Sequence, residues 1–208
     1  EDPFLNGEMT AANTQGMAGE DPLYRRTIPA LKHFCANNNE KNRGSCSANV
    51  TPRTLHEYYY RAFEGAVVRG GADSMMAAYN ELSGVPACMN PDLQHVVKDQ
   101  WHLGFVVTDS ADFTQNVLMH HAFATHAEAL AACLKNGCDV MTDDEDAVTA
   151  AAWDALDRGL ITEQDIDRAV GSSMLGRFRL GEFDGDACLY NTEPAETDTP
   201  IHRAVNQC

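Results

Sequence analysis

The 208-residue sequence has no run of about 18 uninterrupted apolar residues, the length a helix needs to cross a bilayer, so no membrane partner is expected. It also lacks the basic-then-apolar start of a secretory leader. Opening on Glu1-Asp2-Pro3 without a methionine, it reads as an internal piece of a longer chain. Positive charge is scarce. Fifteen Lys and Arg against 31 Asp and Glu leave a formal charge of −16, which would repel a phosphate backbone and argues against nucleic acid despite the Arg25-Arg26 pair. Seven cysteines occur, at 35, 46, 88, 133, 138, 188 and 208, but none forms a CxxC pair, so no metal site is expected. Cys133 between Ala132 and Leu134 has the surroundings of a small buried hydrophobe in a reducing compartment, which favours a bacterial cytoplasm. The sequon Asn49-Val50-Thr51 would matter only in a secreted eukaryotic protein, and secretion stays open.

What is present is an alternation of short apolar runs with longer stretches of helical period, the pattern of βα units on a parallel sheet. Residues 4–18 predict a helix and 28–34 a strand. An amphipathic helix over 53–69 follows, with Leu55, Tyr59, Phe63, Ala66 and Val67 on one face. Strands are expected at 74–79, 104–109 and 138–141, and helices from about Pro91, then over 126–135, 145–157 and 163–179. Four such units predict about the C-terminal half of a (β/α)8 TIM barrel over residues 1–180, an α/β fold whose chemistry sits where strands end. From Gly181 to Cys208 the Gly, Pro and acidic content predicts a linker.

Three of the strand ends present Lys32-His33, Tyr79-Asn80 and Asp109, a set able to surround a polyhydroxylated ligand with a carboxylate at its centre. Each residue has a plainer use. Asp109 could cap a helix, His33 could be a satisfied core histidine, and Met76 could be core packing. Lys32, framed by Ala30-Leu31 and Phe34, needs a partner for its charge if buried. His120, His121 and His126 follow the third strand at spacings that suit loop or helix-start residues better than metal ligands.

Order and spacing narrow these alternatives. The stretch Lys32-His33-Phe34-Cys35-Ala36-Asn37-Asn38-Asn39-Glu40, with Arg43 after it, resembles the Lys-His-Phe-x-x-Asn segment and following Arg of glycoside hydrolase family 3. The helix from Arg53 to Phe63, the strand Ser74 to Asn80 and the run Gly104-Phe105-Val106-Val107-Thr108-Asp109 are similar to that family's next segments, in the same order. Glu1-Asp2-Pro3 resembles its Glu-Asp-Pro, and Ile201-His202-Arg203 the passage into a second domain.

The resemblance implies a retaining exo-β-glycosidase, needing no cofactor, that hydrolyses terminal β-D-glucosidic or β-xylosidic bonds of a small glycoside or oligosaccharide. It implies Asp109 as catalytic nucleophile and a sugar subsite formed by Lys32, His33, Arg43, Met76 and Tyr79, with Tyr79's hydroxyl touching the nucleophile. Asn37-Asn38-Asn39, where one branch of the family carries Pro-Gly, favours the glucosidase and xylosidase branch, whose proton-donating Glu lies in a second domain. Ser110-Ala111-Asp112 stands where the family often has an aromatic platform. Without upstream strands and a proton donor the chain alone is expected to be inactive; the alternative is a non-catalytic sugar-binding remnant. A homo-oligomer stays open.

Overall fold

The structure, a computed structural model, describes residues 2–190 and 198–205. Part of the expected linker, residues 191–197 with Pro194 and 206–208 with Cys208, lies outside the described residues.

Local chemistry explains where the elements begin. Helix α1 (Pro3–Ala18) starts where Pro3 needs no N–H partner and Asp2 Oδ1 accepts the N–H groups of Phe4 and Leu5 at 2.8 and 3.1 Å. It stops at Gly19, whose φ of 84° suits glycine. Strand β1 (Ala30–Phe34) follows, then a two-residue strand β2 (Ser47–Ala48). The helix expected over 53–69 is divided into α2 (Pro52–Thr54), a π-helical turn Leu55–Tyr59, and α3 (Arg61–Val68). β3 (Ser74–Ala77) leads through the short strands β4 (Glu81–Leu82) and β5 (Val85–Pro86) to a second π-helical stretch, Leu93–Lys98, and then to β6 (Phe105–Val107). The remaining helices are α4 (Asp112–Leu118), α5 (His126–Lys135), α6 (Glu145–Asp157), α7 (Glu163–Arg179) and α8 (Pro200–Val205).

The principal sheet runs β1-β3-β6, all parallel, each strand followed in sequence by helix, as in an arc of a (β/α)8 barrel. In register across it stand Leu31, Met75 and Val106, at 7%, 0% and 0% exposure, and this row anchors the core under the helices. Side chains alternate along a strand, so Lys32, Met76 and Val107 point to the opposite face, where exposure is higher. Phe34 closes the core as part of an aromatic cluster. It stacks on Tyr60 at 5.1 Å and meets Phe63 and Trp101 edge-on, while the Tyr60 hydroxyl donates to Asp92 Oδ2 at 2.6 Å.

The fourth strand is reduced to one bridge, Val140 beside Val107. The reason is a side chain: Asp139 Oδ2 accepts the Val106 N–H at 2.8 Å, and that carboxylate is held by Lys98 Nζ at 2.5 Å. Past the bridge, threonines carry on the pairing. Thr142 Oγ1 donates to the Thr108 carbonyl at 2.5 Å, and the Thr142 N–H donates to Thr108 Oγ1 at 2.9 Å. At the opposite end of the strands, Asp73 takes Arg25 Nε at 2.7 Å and also binds Arg179, tying the close of α7 to the entry of β3.

Candidate active site

The strand ends that sequence order singled out meet at one carboxylate. Asp109 stands two residues past β6, and its Oδ2 lies 3.0 Å from His33 Nε2 at the end of β1. Its Oδ1 accepts the N–H of Ser110 at 2.7 Å, while the His33 ring stands at ion-pair separation from the other oxygen. The two side chains are 25% and 16% exposed, open enough to meet a ligand. His33 is therefore a partner of Asp109, not an isolated core histidine.

Tyr79, two residues past β3, sends its hydroxyl to the same place. It donates to the Ser110 carbonyl at 2.7 Å, beside the Asp109 carboxylate. Burial, with the neighbouring Asp109 carboxylate adding to it, pushes the phenol up to about 12. Arg43 covers this ring: its guanidinium carbon stands 4.6 Å from the ring centroid while Nη1 binds Glu40 at 2.7 Å. Lys32 is exposed and so needs no buried counter-ion. It lines, with His33, Asn37, Tyr58 and the first turns of α1, a cavity of about 370 Å³ along the free edge of β1. Met76 is half-buried opposite Val107, on the face away from the core row.

Two groups in this neighbourhood were not singled out from sequence. Asp112, in the first turn of α4, is 1% exposed, and its Oδ2 has no hydrogen-bond partner among the described residues. Burial, then the carboxylates of Asp109 and Asp143, push it up to about 7, although the Cys88 thiol favours its anion. The signal was an acid three residues after a strand-end acid. His120 is the second. Its side chain is 1% exposed, with Nε2 2.7 Å from the Tyr79 carbonyl and Nδ1 3.4 Å from Glu81 Oε1. The latter is an ion-pair separation without hydrogen-bond alignment, which is why Nδ1 counts as unpartnered in directional terms. Adjacent histidines in a polar loop gave no hint that one of them is buried.

Among the described residues no group of three or more His, Cys, Asp or Glu side chains is placed to hold a metal ion. Cys88, Cys133 and Cys138 are fully buried thiols behind the site, and burial contributes to raising all three. The Cys88 and Cys133 sulfurs stand 3.8 Å apart.

Comparison with known proteins agrees with this architecture. The model of the glycosyl hydrolase family 3 N-terminal domain matches residues 1–172. Beta-D-xylosidase 1 of Arabidopsis thaliana is 31% identical over 211 residues, covering 98% of this chain and 27% of that protein. Thermostable beta-glucosidase B of Acetivibrio thermocellus is 39% identical over 111 residues, covering 52% of this chain and 14% of that protein. Among solved structures, a family 3 exo-beta-xylosidase in complex with a xylobiose aziridine activity-based probe superimposes with a TM-score of 0.85 at 26% identity, over 91% of this chain and 26% of that one. Beta-glucosidase 3B of Thermotoga neapolitana, in complex with glycerol, gives 0.75 at 27% identity, over 93% and 26%. The chain spans about a quarter of the length of the first of these curated relatives.

Proposed function

The chain belongs to glycosyl hydrolase family 3, and from that premise we propose that it carries the nucleophile half of a retaining exo-β-glycosidase site, with Asp109 as the attacking carboxylate. The observation that carries this is the His33–Asp109 contact, which joins the ends of β1 and β6 across the intervening β3. A nucleophilic carboxylate has to be held in one orientation against the anomeric carbon. The Ser110 N–H on Oδ1 and the His33 ring 3.0 Å from Oδ2 do that here.

In the proposed sequence, an Asp109 oxygen bonds to the anomeric carbon as the bond to the aglycone oxygen breaks, the aglycone leaving with a proton from a general acid. Water then adds to the same carbon, releases Asp109, and gives up its proton to that acid's conjugate base, so the β configuration is retained. His33 and Lys32 would offer hydrogen bonds to sugar hydroxyls, Tyr79 would bound the pocket beside Asp109 under Arg43, and Met76 would form its apolar floor. The substrate class proposed is a terminal β-D-xyloside or β-D-glucoside, after the names of the relatives.

We place the general acid outside these 208 residues and take 181–208 as the passage towards the domain that bears it. General-acid help is worth about 10²–10⁴ in rate, so the chain by itself is proposed to be inactive. The test joins this chain to the remaining segments of a family 3 xylosidase and compares that hybrid with its Asp109→Ala form on an aryl β-xyloside. Turnover should vanish in the variant; activity within about tenfold of the parent hybrid would refute the assignment.

A further inference from the structure

Tyr79 stands beyond the last ladder pair of β3, and no backbone N–H among the described residues donates to its carbonyl. A buried carbonyl left in that state would be costly. The donor comes instead from another element: His120, just past the end of α4, puts Nε2 2.7 Å from that oxygen. A carbonyl only accepts, so Nε2 carries the proton. The other ring nitrogen faces Glu81 Oε1 at 3.4 Å, which becomes an ion pair whenever the ring holds both protons. The imidazole is thus held by an aligned hydrogen bond at Nε2 and has Glu81 at ion-pair separation on its other side, partners two residues apart on one strand-to-hairpin connection.

Those partners matter because of what they flank. Residue 79 is the one whose hydroxyl reaches Ser110, next to Asp109, and α4 is the helix that begins three residues after Asp109. The 79–81 segment and the Asp109–α4 segment therefore touch twice, through the Tyr79 hydroxyl at one end and through His120 at the other. The ring of Tyr79 is fixed further by Arg43 on its face.

We propose that His120 is a positioning residue, which clamps the Tyr79 main chain so that the phenol stays against Asp109, with Glu81 orienting the imidazole. For the proposed glycosidase chemistry, on which its usefulness rests, this clamp would fix one wall of the sugar pocket.

Isosteric amides separate a hydrogen-bonding role from simple filling of space. In His120→Gln the amide nitrogen can occupy the place of Nε2 and still donate to the Tyr79 carbonyl. In His120→Asn it falls near the place of Nδ1 and cannot reach. The reporter is the Tyr79 phenol, which burial and, after it, the Asp109 carboxylate keep high. The 208-residue chain is labelled with 3-fluorotyrosine, which titrates at lower pH, and the Tyr79 signal is assigned by its loss in Tyr79→Phe. His120→Asn should lower the Tyr79 midpoint by about one pH unit as the phenol leaves Asp109, and His120→Gln should leave it near the parent value. Glu81→Gln should move it in the same direction as His120→Asn, by less.

A folded His120→Asn chain with an unmoved Tyr79 midpoint overturns the proposal, as does an equal fall in His120→Gln. Should His120→Asn not fold, an unmoved midpoint in Glu81→Gln overturns it, and a fall there, with His120→Gln unmoved, supports it. The readout needs no turnover, so a failed nucleophile assignment and a failed clamp are told apart.

Discussion

Lys98→Met attacks the strand that delivers Asp109 without touching the site. Lys98 Nζ lies 2.5 Å from Asp139 Oδ1, with the side chains only 11% and 2% exposed, and the other Asp139 oxygen accepts the Val106 N–H of β6 at 2.8 Å. Burial already pushes the Asp139 carboxyl above its ordinary value despite the ammonium beside it. Methionine keeps the length of the lysine stem but leaves a buried carboxylate with one backbone donor, for which the expected loss is about 3–5 kcal/mol at neutral pH. In a chain of this size that lowers the melting temperature by on the order of 10 °C.

The pH dependence has a definite sign. A carboxyl whose folded value is raised favours folding in its protonated form, and that contribution disappears as pH rises through the folded value. Without Lys98 the folded value rises further, so the penalty should be largest near neutrality and shrink as pH falls towards the ordinary carboxylate value of 3.8. Urea unfolding followed by circular dichroism at neutral and acidic pH measures both quantities. In an Asp139→Asn background the amide oxygen can still accept the Val106 N–H and needs no cation, so Lys98→Met should then cost little. A neutral-pH penalty under about 1 kcal/mol, or one undiminished in that background, refutes the reasoning.

Asp112→Asn should flatten the pH dependence of stability: with its carboxyl raised from 3.8 to about 7, the parent loses stability as pH climbs across that interval, by at most about 4 kcal/mol, whereas the amide variant loses little. Parallel urea curves for the two proteins from acid to neutral pH would contradict this. Gly137→Ala, at φ 97° with its new Cβ 2.9 Å from the Gln94 backbone nitrogen, should cost roughly 2–4 kcal/mol. Gly159→Ala, at φ 66° in open space, should cost only about 1, and thermal melts in which the two variants agree would show that the Gln94 contact is immaterial.

The parts of the fold legible in the chain are those whose signals are local. Helices α5, α6 and α7 run over 126–135, 145–157 and 163–179 as expected from the sequence, and the structure shows local caps at their starts, Thr125 and Glu128 closing one N-terminus and Asp165 accepting the N–H of Thr162 at another. Helix α4 was not legible because its buried positions are Asp112, Phe113 and Asn116, two of them polar, and no apolar stripe marks it. Strands β2, β4 and β5 are two residues each. β2 finds its partner 34 positions away, Ser47 opposite Glu81, beyond the reach of any local pattern. The order of Lys32-His33, Tyr79 and Asp109 along the chain indicated a shared site; that His33 faces Asp109, while the exposed Lys32 lines with it the cavity at the free edge of β1, depends on strand register and the coil of the sheet.

Charge placement in the site follows from the same non-local packing. Asp109, Asp112 and Asp143 gather at the ends of β6 and of the Val140 segment, in a chain that already carries an excess of acids. Like charges this close are not all carried cheaply, and the distribution of donors decides which group gives way. Asp143 has the N–H and the hydroxyl of Thr114, both at 2.9 Å. Asp109 has the Ser110 N–H on one oxygen and the His33 ring 3.0 Å from the other. Asp112 is the most buried of the three, and its Oδ2 has no donor among the described residues; it is the one whose carboxyl is pushed up to about 7. A proton on Asp112 removes one negative charge from beside Asp109 without placing a cation there, which would suit a neutral ligand in front of the proposed nucleophile.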